Sequence, residues 1–231
     1  MISIQRVNQK YGGTQILWDL DLNISKGKIT CIMGRNGVGK TTLLKCFMGL
    51  LPLSSGSISL EGEKIESLSA ESRAPLGVGY VPQGRDIFPM LTVEENLRLG
   101  LPVRKDKAKG IPEKVYELFP VLCDMKHRLG GDLSGGQQQQ LAIGRALVIE
   151  PKVLILDEPN EGIQPNIVKQ IGDVILKLNR EEHLTVILVE QKLGFARRVG
   201  QEFRLMERGK VVASDQMENL NDELIKQHLA V

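Results

Sequence analysis

The chain of 231 residues has little cysteine, no long apolar run and no excess of one charge sign. Its three cysteines, Cys31, Cys46 and Cys123, show no pairable spacing. That excludes a disulfide framework and favours a reducing compartment, by default the cytoplasm. No apolar run approaches the roughly 20 residues that cross a bilayer, and residues 1–10 lack the apolar centre of a signal peptide. We therefore expect any membrane role to come through a partner.

The charged residues, 30 basic and 28 acidic, are spread along the chain and give a net charge of +2. No concentrated basic field for nucleic acid results, so we expect no nucleic-acid partner. The densest basic cluster, RKDKAK (104–109), favours a solvated loop over a phosphate-binding patch. With 42% hydrophobic residues, the chain can bury a full core in one globular unit or two closely joined lobes.

Strand patterns dominate both ends of the chain. Apolar and polar residues alternate from Ile2 and again after Gly12-Gly13, which predicts an antiparallel element with one solvated face, and SGSISLEG (55–62) predicts another edge strand. The C-terminal part predicts a hairpin about Arg208-Gly209 and then a short helix from Asp222.

Two runs, VLILD (153–157) and TVILV (185–189), have the composition of strands buried on both faces of a parallel sheet. Helical spacing between them predicts a strand, helix, strand unit. KITCIM (28–33) predicts another strand, followed by a glycine loop and a helix that stops before Pro52.

Residues 84–142 combine helical spacing with several prolines, which predicts short helices without strands. We interpret this segment as a helical insert in a single domain of residues 1–231, with 1–83 and 143–231 forming the core and a β subdomain. The apolar face of these helices fits ordinary core packing as well as a role in transmitting motion, and spacing does not decide between the two.

GRNGVGKT (34–41) matches G-x-x-x-x-G-K-[ST] between a predicted strand and a predicted helix. Its glycines let backbone amides surround phosphate oxygens, Lys40 reaches the β and γ phosphates, and Thr41 offers a hydroxyl to Mg²⁺. Asp157 and Glu158 follow a buried strand. We expect Asp157 to hold Mg²⁺ and Glu158 to polarise the attacking water.

LSGGQ (133–137) places a hydroxyl and two glycines before a helix, which predicts a second phosphate-facing group of amides. A single bound nucleotide has little use for two phosphate-facing loops from the same chain. We therefore expect a dimer in which LSGGQ of each chain covers the nucleotide bound to the lysine loop of the other.

With these motifs in the order GRNGVGKTT, YVPQG, LSGGQ and VLILDEP, the whole chain resembles the nucleotide-binding domains of ATP-binding cassette (ABC) transporters. The resemblance implies an α/β fold: a P-loop NTPase (RecA-like) core with an antiparallel β subdomain and an inserted α-helical subdomain. It implies an ATPase with ATP and Mg²⁺ as cofactors.

The same resemblance assigns site residues. The ATP-binding set is Tyr11, stacked on adenine, with Gly34, Arg35, Asn36, Gly37, Val38, Gly39, Lys40, Thr41 and Thr42. The catalytic set is Glu158, Gln191 and Gln83, the metal set is Thr41, Gln83 and Asp157, and the contacts to the partner's ATP are Ser134, Gly135, Gly136 and Gln137. The alternative to a binding role for Tyr11 is an aromatic side chain that packs within its loop. The alternative to a catalytic role for Gln83 is an ordinary turn residue.

Two positions depart from the family pattern. Gln164, in EGIQ, takes the place of an aspartate, and Gln191 takes the place of the histidine that senses the γ phosphate. His127 and His183 are not placed to substitute, and we expect both at the surface. A glutamine amide donates a hydrogen bond but carries no charge or proton near neutral pH, so the switch is weakened and contact is kept.

GRDIFPMLTVEENL, LDEPNEGIQP and LVEQ together resemble the smaller ATPase subunit of importers for branched-chain amino acids and urea, and EGIQP is similar to the urea subfamily. The resemblance implies a peripheral subunit at the cytoplasmic face of the inner membrane. Its partners would be a second homologous ATPase chain, or a copy of itself in isolation, and two permease chains. An extracytoplasmic solute-binding protein would deliver the cargo.

Two alternatives stay open. A nucleotide-gated, weakly hydrolysing regulatory subunit, paired with a more active ATPase chain, would follow from Gln191 and Gln164. A soluble cassette ATPase of DNA repair or translation is disfavoured, because the chain has no second cassette, long coiled-coil insert or basic tail.

Overall fold

The computed structural model describes residues 1–104 and 106–229. Its strands, in chain order, are β1 (Ile2–Tyr11), β2 (Thr14–Ile24), β3 (Ile29–Met33), β4 (Ser55–Leu60), β5 (Glu63–Lys64), β6 (Val78–Val81), β7 (Val153–Asp157), β8 (Thr185–Val189), β9 (Glu202–Glu207) and β10 (Lys210–Gln216). The α-helices are α1 (Lys40–Phe47), α2 (Ala70–Arg73), α3 (Val93–Arg98), α4 (Glu113–Leu118), α5 (Pro120–Asp124), α6 (Gly135–Val148), α7 (Pro165–Glu182), α8 (Leu193–Val199) and α9 (Asp222–His228), and short 3-10 helices lie at Ala74–Leu76, Leu101–Val103, Gly130–Asp132 and Met217–Asn219. The predicted α/β architecture is confirmed.

The smaller sheet is antiparallel, with strand order β2-β1-β4-β5. The predicted antiparallel element is therefore confirmed. The prediction of an edge strand at residues 55–62 is wrong, because the two-residue strand β5 pairs with Ser59 and Leu60 and covers the end of β4. Two residues are too short to show as an alternating pattern in the sequence.

The larger sheet has the order β10-β9-β3-β8-β7-β6, and its strands are parallel from β6 to β9. Every residue of β7 and β8 is buried. Leu154 and Leu156 pack with the apolar residues of α6 and α7, whereas Val153 and Ile155 pack with α1 and the smaller sheet. The prediction of strands buried on both faces is thus confirmed, and their carboxyl ends share one edge of the sheet.

Helix α1 ends at Phe47, earlier than the predicted stop before Pro52. Gly49 has a left-handed backbone with φ of 74°. The buried guanidinium of Arg73 donates hydrogen bonds to the carbonyl groups of Cys46 and Phe47. The Cys46 carbonyl also accepts the Gly49 N–H at 3.1 Å, whereas the Phe47 carbonyl is one that the end of a helix leaves unpaired. A side chain from a distant part of the chain therefore completes the cap at which α1 ends.

The segment 84–142 is helical as predicted, with one isolated β-bridge between Thr92 and Leu129. Helix α6 runs unbroken across position 142 to Val148. The interpretation of RKDKAK as a solvated loop is wrong at Arg104, which is buried and donates to Asp106 and to the carbonyl of Val148. Lys105 lies outside the described residues. No helix within the described ranges is both long and apolar enough to span a membrane.

Candidate functional site

The glycine loop joins β3 to α1, as predicted. Gly39 precedes the first residue of α1 with a left-handed φ of 105°. At Gly34, φ is 155° and an added Cβ would lie 2.4 Å from the carbonyl oxygen of Met206, so only glycine fits. The loop therefore directs backbone amides and the N-terminus of α1 at one small volume, the arrangement that binds phosphate.

Lys40 lies across its own loop. Its Nζ donates to the carbonyl oxygens of Gly34 and Arg35 at 2.8 Å and 2.9 Å. Burial lowers the pKa of Lys40, and the nearby carboxylates of Glu158, Asp157 and Glu190 oppose that shift. The lysine is thus held by weak neutral acceptors that a phosphate can replace.

Asp157 ends β7 and is almost fully buried. Within the described ranges, no donor meets either of its carboxylate oxygens in good hydrogen-bond geometry, although the Thr41 hydroxyl lies nearby. Burial raises the pKa of Asp157 to about 6, with the hydroxyl of Thr41 opposing the shift and the charge of Glu158 adding to it. An unsatisfied buried carboxylate is costly, and a hard cation with oxygen ligands would satisfy it.

The donor set therefore fits Mg²⁺, although it is sparse in protein ligands. No group of three or more His, Cys, Asp or Glu that could hold a metal occurs among the residues described. Asp157 and the half-buried Thr41 are protein oxygens, so phosphate and water would complete the shell, as Mg²⁺ commonly requires.

Glu158 lies one residue beyond β7, with a left-handed φ of 48°. Its N–H donates to the carbonyl of Val189 at 2.9 Å, which ties the turn to the end of β8. Such backbone strain in a non-glycine residue persists where the surroundings enforce it, and it is common at functional sites. The turn directs the Glu158 side chain into the volume in front of the glycine loop, where it meets two amides.

The first amide belongs to Gln191. Its Nε2 donates to Glu158 Oε1 at 2.5 Å and to Asn36 Oδ1 at 2.6 Å. One exposed side chain thus joins the end of β8, the acidic turn after β7 and the glycine loop. The resemblance predicted a catalytic role for Gln191, and the structure places its side chain against Glu158.

The second amide belongs to Gln83, which follows β6. Its Nε2 lies 3.5 Å from Glu158 Oε2 and donates at 3.0 Å to Glu161 Oε2. Glu161 was missed by the sequence reasoning. Its position in the sequence could have identified it, because Glu161 is the first residue of EGIQ, and a carboxylate so close to Glu158 in the chain lies on the same turn.

These side chains line one open cavity. It is bordered by Ile16, Asn36, Gly37, Gly39, Lys40, Thr41, Thr42, Gln83, Glu158, Glu161, Gly162, Glu190, Gln191 and Lys192. Tyr11 is not among them; it pairs with Thr14 at the end of β1 and is 45% exposed. Ile16, which sequence reasoning missed, is an apolar side chain that lines the cavity beside the glycine loop.

The LSGGQ segment lines a second cavity with residues of α4, α5 and α7, and Gly162 borders both cavities. Ser134 precedes α6 and forms a reciprocal cap with Gln137: the Gln137 N–H donates to Ser134 Oγ, and the Ser134 N–H donates to Gln137 Oε1 at 2.9 Å. An added Cβ at Gly136 would lie 3.0 Å from Ile167. Within one chain, the LSGGQ segment and the glycine loop therefore line different cavities.

Arg85 connects the two regions. Its guanidinium donates to Gln138 Oε1 of α6 and to the carbonyl of Glu161, each at 3.2 Å. Arg145 of α6 in turn donates to the carbonyl of Asp86 at 2.7 Å. The loop after β6 is thereby held to the start of α6 and to the turn that contains Glu158.

The sheet order, the glycine loop between β3 and α1, and the acidic end of the neighbouring strand β7 define a P-loop NTPase fold. The ABC transporter family model matches residues 17–161. The chain therefore belongs to the ABC transporter family and is an ATPase of that family, as its resemblance implied.

Two curated relatives match more than nine tenths of the chain. The chain is 42% identical to the high-affinity branched-chain amino acid transport ATP-binding protein BraG of Pseudomonas aeruginosa, over 93% of this chain and 92% of that protein. It is 40% identical to the probable branched-chain amino acid transport ATP-binding protein LivF of Archaeoglobus fulgidus, over 91% of this chain and 90% of that protein.

Among solved structures, the chain is similar to a dimeric ATP-binding cassette in a post-hydrolysis state bound to ADP and Pi. The TM-score is 0.84 at 26% identity, covering 94% of this chain and 99% of the other. The match confirms the predicted fold class.

Proposed function

We propose that this chain is the ATP-hydrolysing subunit of a membrane importer. The observation that supports this most directly is the convergence of the Gln83 and Gln191 amides on Glu158, in the cavity that also contains Lys40. A carboxylate at that point can accept a proton from water next to a bound γ phosphate.

In the proposed mechanism, ATP displaces the Lys40 ammonium from the carbonyl groups of its own loop, and Lys40 then pairs with the β and γ phosphates. The loop amides bind the remaining phosphate oxygens, and Ile16 borders the adenosine side. Glu158 orients the attacking water and accepts its proton, while Gln191 Nε2 exchanges its hydrogen bond to Glu158 for one to the γ phosphate. Mg²⁺, held by Thr41, Asp157 and Gln83, would neutralise phosphate charge.

The proposed active unit is a dimer. Because LSGGQ and the glycine loop line different cavities of one chain, each would meet the nucleotide of the other copy. Ser134 would then exchange its cap with Gln137 for contact with the partner's γ phosphate, together with the amides of Gly135 and Gly136. The partner is a second homologous ATPase chain, or a copy of this chain in isolation.

The proposed permease contact lies beside the Gln83 loop. Phe88, Met90 and Leu129 are exposed there, with Met90 80% accessible. Arg145 stacks on the Phe88 ring at 5.4 Å and also holds the loop carbonyl of Asp86. An exposed apolar group attached to the loop of a catalytic residue suits a partner that must sense nucleotide, namely the permease at the cytoplasmic face of the membrane.

The proposed cargo is urea or a related small amide, based on the EGIQP segment. Branched-chain amino acids are the second candidate, because the relatives at 42% and 40% identity carry that name. Uptake of radiolabelled urea and of leucine should be compared in cells that express the complete transporter with this chain or with Glu158→Gln. Urea uptake lost in the variant would support the first cargo. Loss of leucine uptake alone would replace it with the second.

A weakly hydrolysing regulatory subunit is the alternative, and one contact favours it. The Gln191 amide already donates to Glu158 at 2.5 Å, so it competes with the attacking water for that carboxylate oxygen. Turnover of the purified chain over a range of protein concentrations separates the two functions. Turnover that rises with concentration supports the motor, whereas negligible turnover with ATP still bound supports the regulator.

A further inference from the structure

A buried pair of side chains lies directly beyond the ends of β7 and β8. Asn160 and Glu190 are 0% and 3% exposed, and Asn160 Nδ2 donates to Glu190 Oε2 at 2.6 Å. The strands that precede them are in register, with Asp157 opposite Val189. The pair therefore joins the two turns that carry Glu158 and Gln191.

The second oxygen of Glu190 anchors the switch segment. Glu190 Oε1 accepts the backbone N–H groups of Gln191 and Lys192, both at 2.8 Å. Lys192 Nζ returns across the junction and donates to the carbonyl of Asn160 at 2.9 Å. We call this set, Asn160, Glu190 and the amides of Gln191 and Lys192, the turn latch.

The turn latch determines where the Gln191 side chain can reach. Fixing the backbone N–H of Gln191 leaves its side-chain torsions to place the amide, which lies 2.6 Å from Asn36 and 2.5 Å from Glu158. A buried carboxylate that accepts short hydrogen bonds is a strong and directional anchor. Removing one partner of such a contact costs more than an exposed hydrogen bond would.

We propose that Glu190 and Asn160 are positioning residues for ATP hydrolysis, which hold the Gln191 side chain between the glycine loop and Glu158, where its amide reaches the γ phosphate. The inference rests on the proposed role of Gln191. Neither residue touches the reacting atoms in this scheme. Their contribution is to keep two strand ends in one relative position while nucleotide binds and leaves.

The test uses variants of the full chain that first disrupt the hydrogen bond from Asn160 to Glu190 and then restore it in the opposite direction. Asn160→Asp places a second carboxylate against Glu190, and we expect kcat to fall about 10- to 100-fold with a smaller change in KM for ATP. The double variant Asn160→Asp/Glu190→Gln restores one donor and one acceptor in the opposite direction. We expect its kcat to recover to within about threefold of the unmutated chain, a non-additive result.

Hydrogen exchange of the Gln191 and Lys192 amides gives a second readout that does not depend on turnover. Both should exchange faster in Asn160→Asp and recover in the double variant. The matched control is Asn179→Ala, which removes another buried asparagine whose amide donates to Gly27 and Leu184 away from the cavity. It should lower stability without changing kcat or the exchange of the two amides.

The outcomes separate this inference from the role of Gln191. If Gln191→Ala slows turnover but Asn160→Asp does not, the turn latch has no part in catalysis. A double variant as slow as Asn160→Asp, with both amides still exchanging fast, overturns it equally. If Gln191→Ala keeps full turnover, the role proposed for Gln191 is wrong, and with it the catalytic purpose of the turn latch.

Discussion

Replacing Glu158 by glutamine removes a carboxylate base and leaves the geometry around it nearly unchanged. The new side chain keeps an oxygen that can accept the Gln191 hydrogen bond, now 2.5 Å long. Its new NH₂ group would face Gln83 Nε2, which lies 3.5 Å from the replaced oxygen and already donates to Glu161 at 3.0 Å. The substitution therefore costs little in the ground state.

The cost appears in the transition state. General-base catalysis by a positioned side chain contributes about 10²- to 10⁴-fold, or about 3 to 5 kcal/mol of barrier. We expect kcat of Glu158→Gln to fall by that factor. ATP affinity should be retained, because Lys40 and the loop amides are untouched, and a closed, ATP-bound dimer should accumulate.

The assay is phosphate release at saturating ATP with Mg²⁺, over a range of protein concentrations, with dimer formation followed by gel filtration. Glu161→Gln is the matched control, since it changes the neighbouring carboxylate that shares the Gln83 amide. We expect its turnover to stay within about tenfold of the unmutated chain, as for the loss of one exposed hydrogen bond. Unchanged turnover in Glu158→Gln, with turnover lost in Glu161→Gln, would show that Glu161 and not Glu158 is the general base.

Three further predictions follow from single contacts. Lys40→Ala should weaken ATP binding by roughly 10- to 100-fold in a calorimetric titration, because it removes the charged partner of the phosphates, and unchanged affinity would contradict the loop assignment. Without Mg²⁺ and nucleotide, Asp157→Asn should raise the free energy of unfolding at pH 7 by up to about 3 kcal/mol, because the folded pKa of about 6 lies above the unfolded value near 3.8. The contribution of Asp157 to the free energy of unfolding falls as pH rises between those two values, so the advantage of the variant should vanish below about pH 4. A difference in urea unfolding that does not change with pH would show that the raised pKa of Asp157 is not the cause. Gly49→Ala should lower the free energy of unfolding by about 2 to 4 kcal/mol in the same assay, because its Cβ would lie 2.8 Å from Arg73 Nε at a φ of 74°. Gly62→Ala is the control: its φ is 90° but the space around it is open, so it should lower the free energy of unfolding by only about 1 kcal/mol.

Sequence reasoning was strongest where one residue type has a single physical use. The GRNGVGKT loop predicted its strand, its turn and its helix together, because the glycines fit only a backbone that side chains would block. VLILD and TVILV predicted parallel strands buried on both faces, since no polar residue interrupts them. These local patterns fixed the α/β class, and the order of the motifs indicated the family.

Sequence reasoning failed where a contact joins distant segments. The end of α1 depends on Arg73, the edge of the smaller sheet depends on the two residues of β5, and Arg104 is buried although its neighbours are charged. Each outcome depends on what packs there from elsewhere in the chain. Periodicity within a window carries no information on such contacts.

The amino-acid sequence by itself determined the elements, the phosphate loop and the acidic strand end, because local backbone preference and hydropathy specify them. Only the tertiary structure decided that Gln191 bridges Asn36 and Glu158, and that Glu190 and Asn160 hold the segment that does so. Those contacts arise at the shared edge of a parallel sheet. Strands far apart in the chain end side by side there, and their neighbouring turns meet only after the sheet has formed.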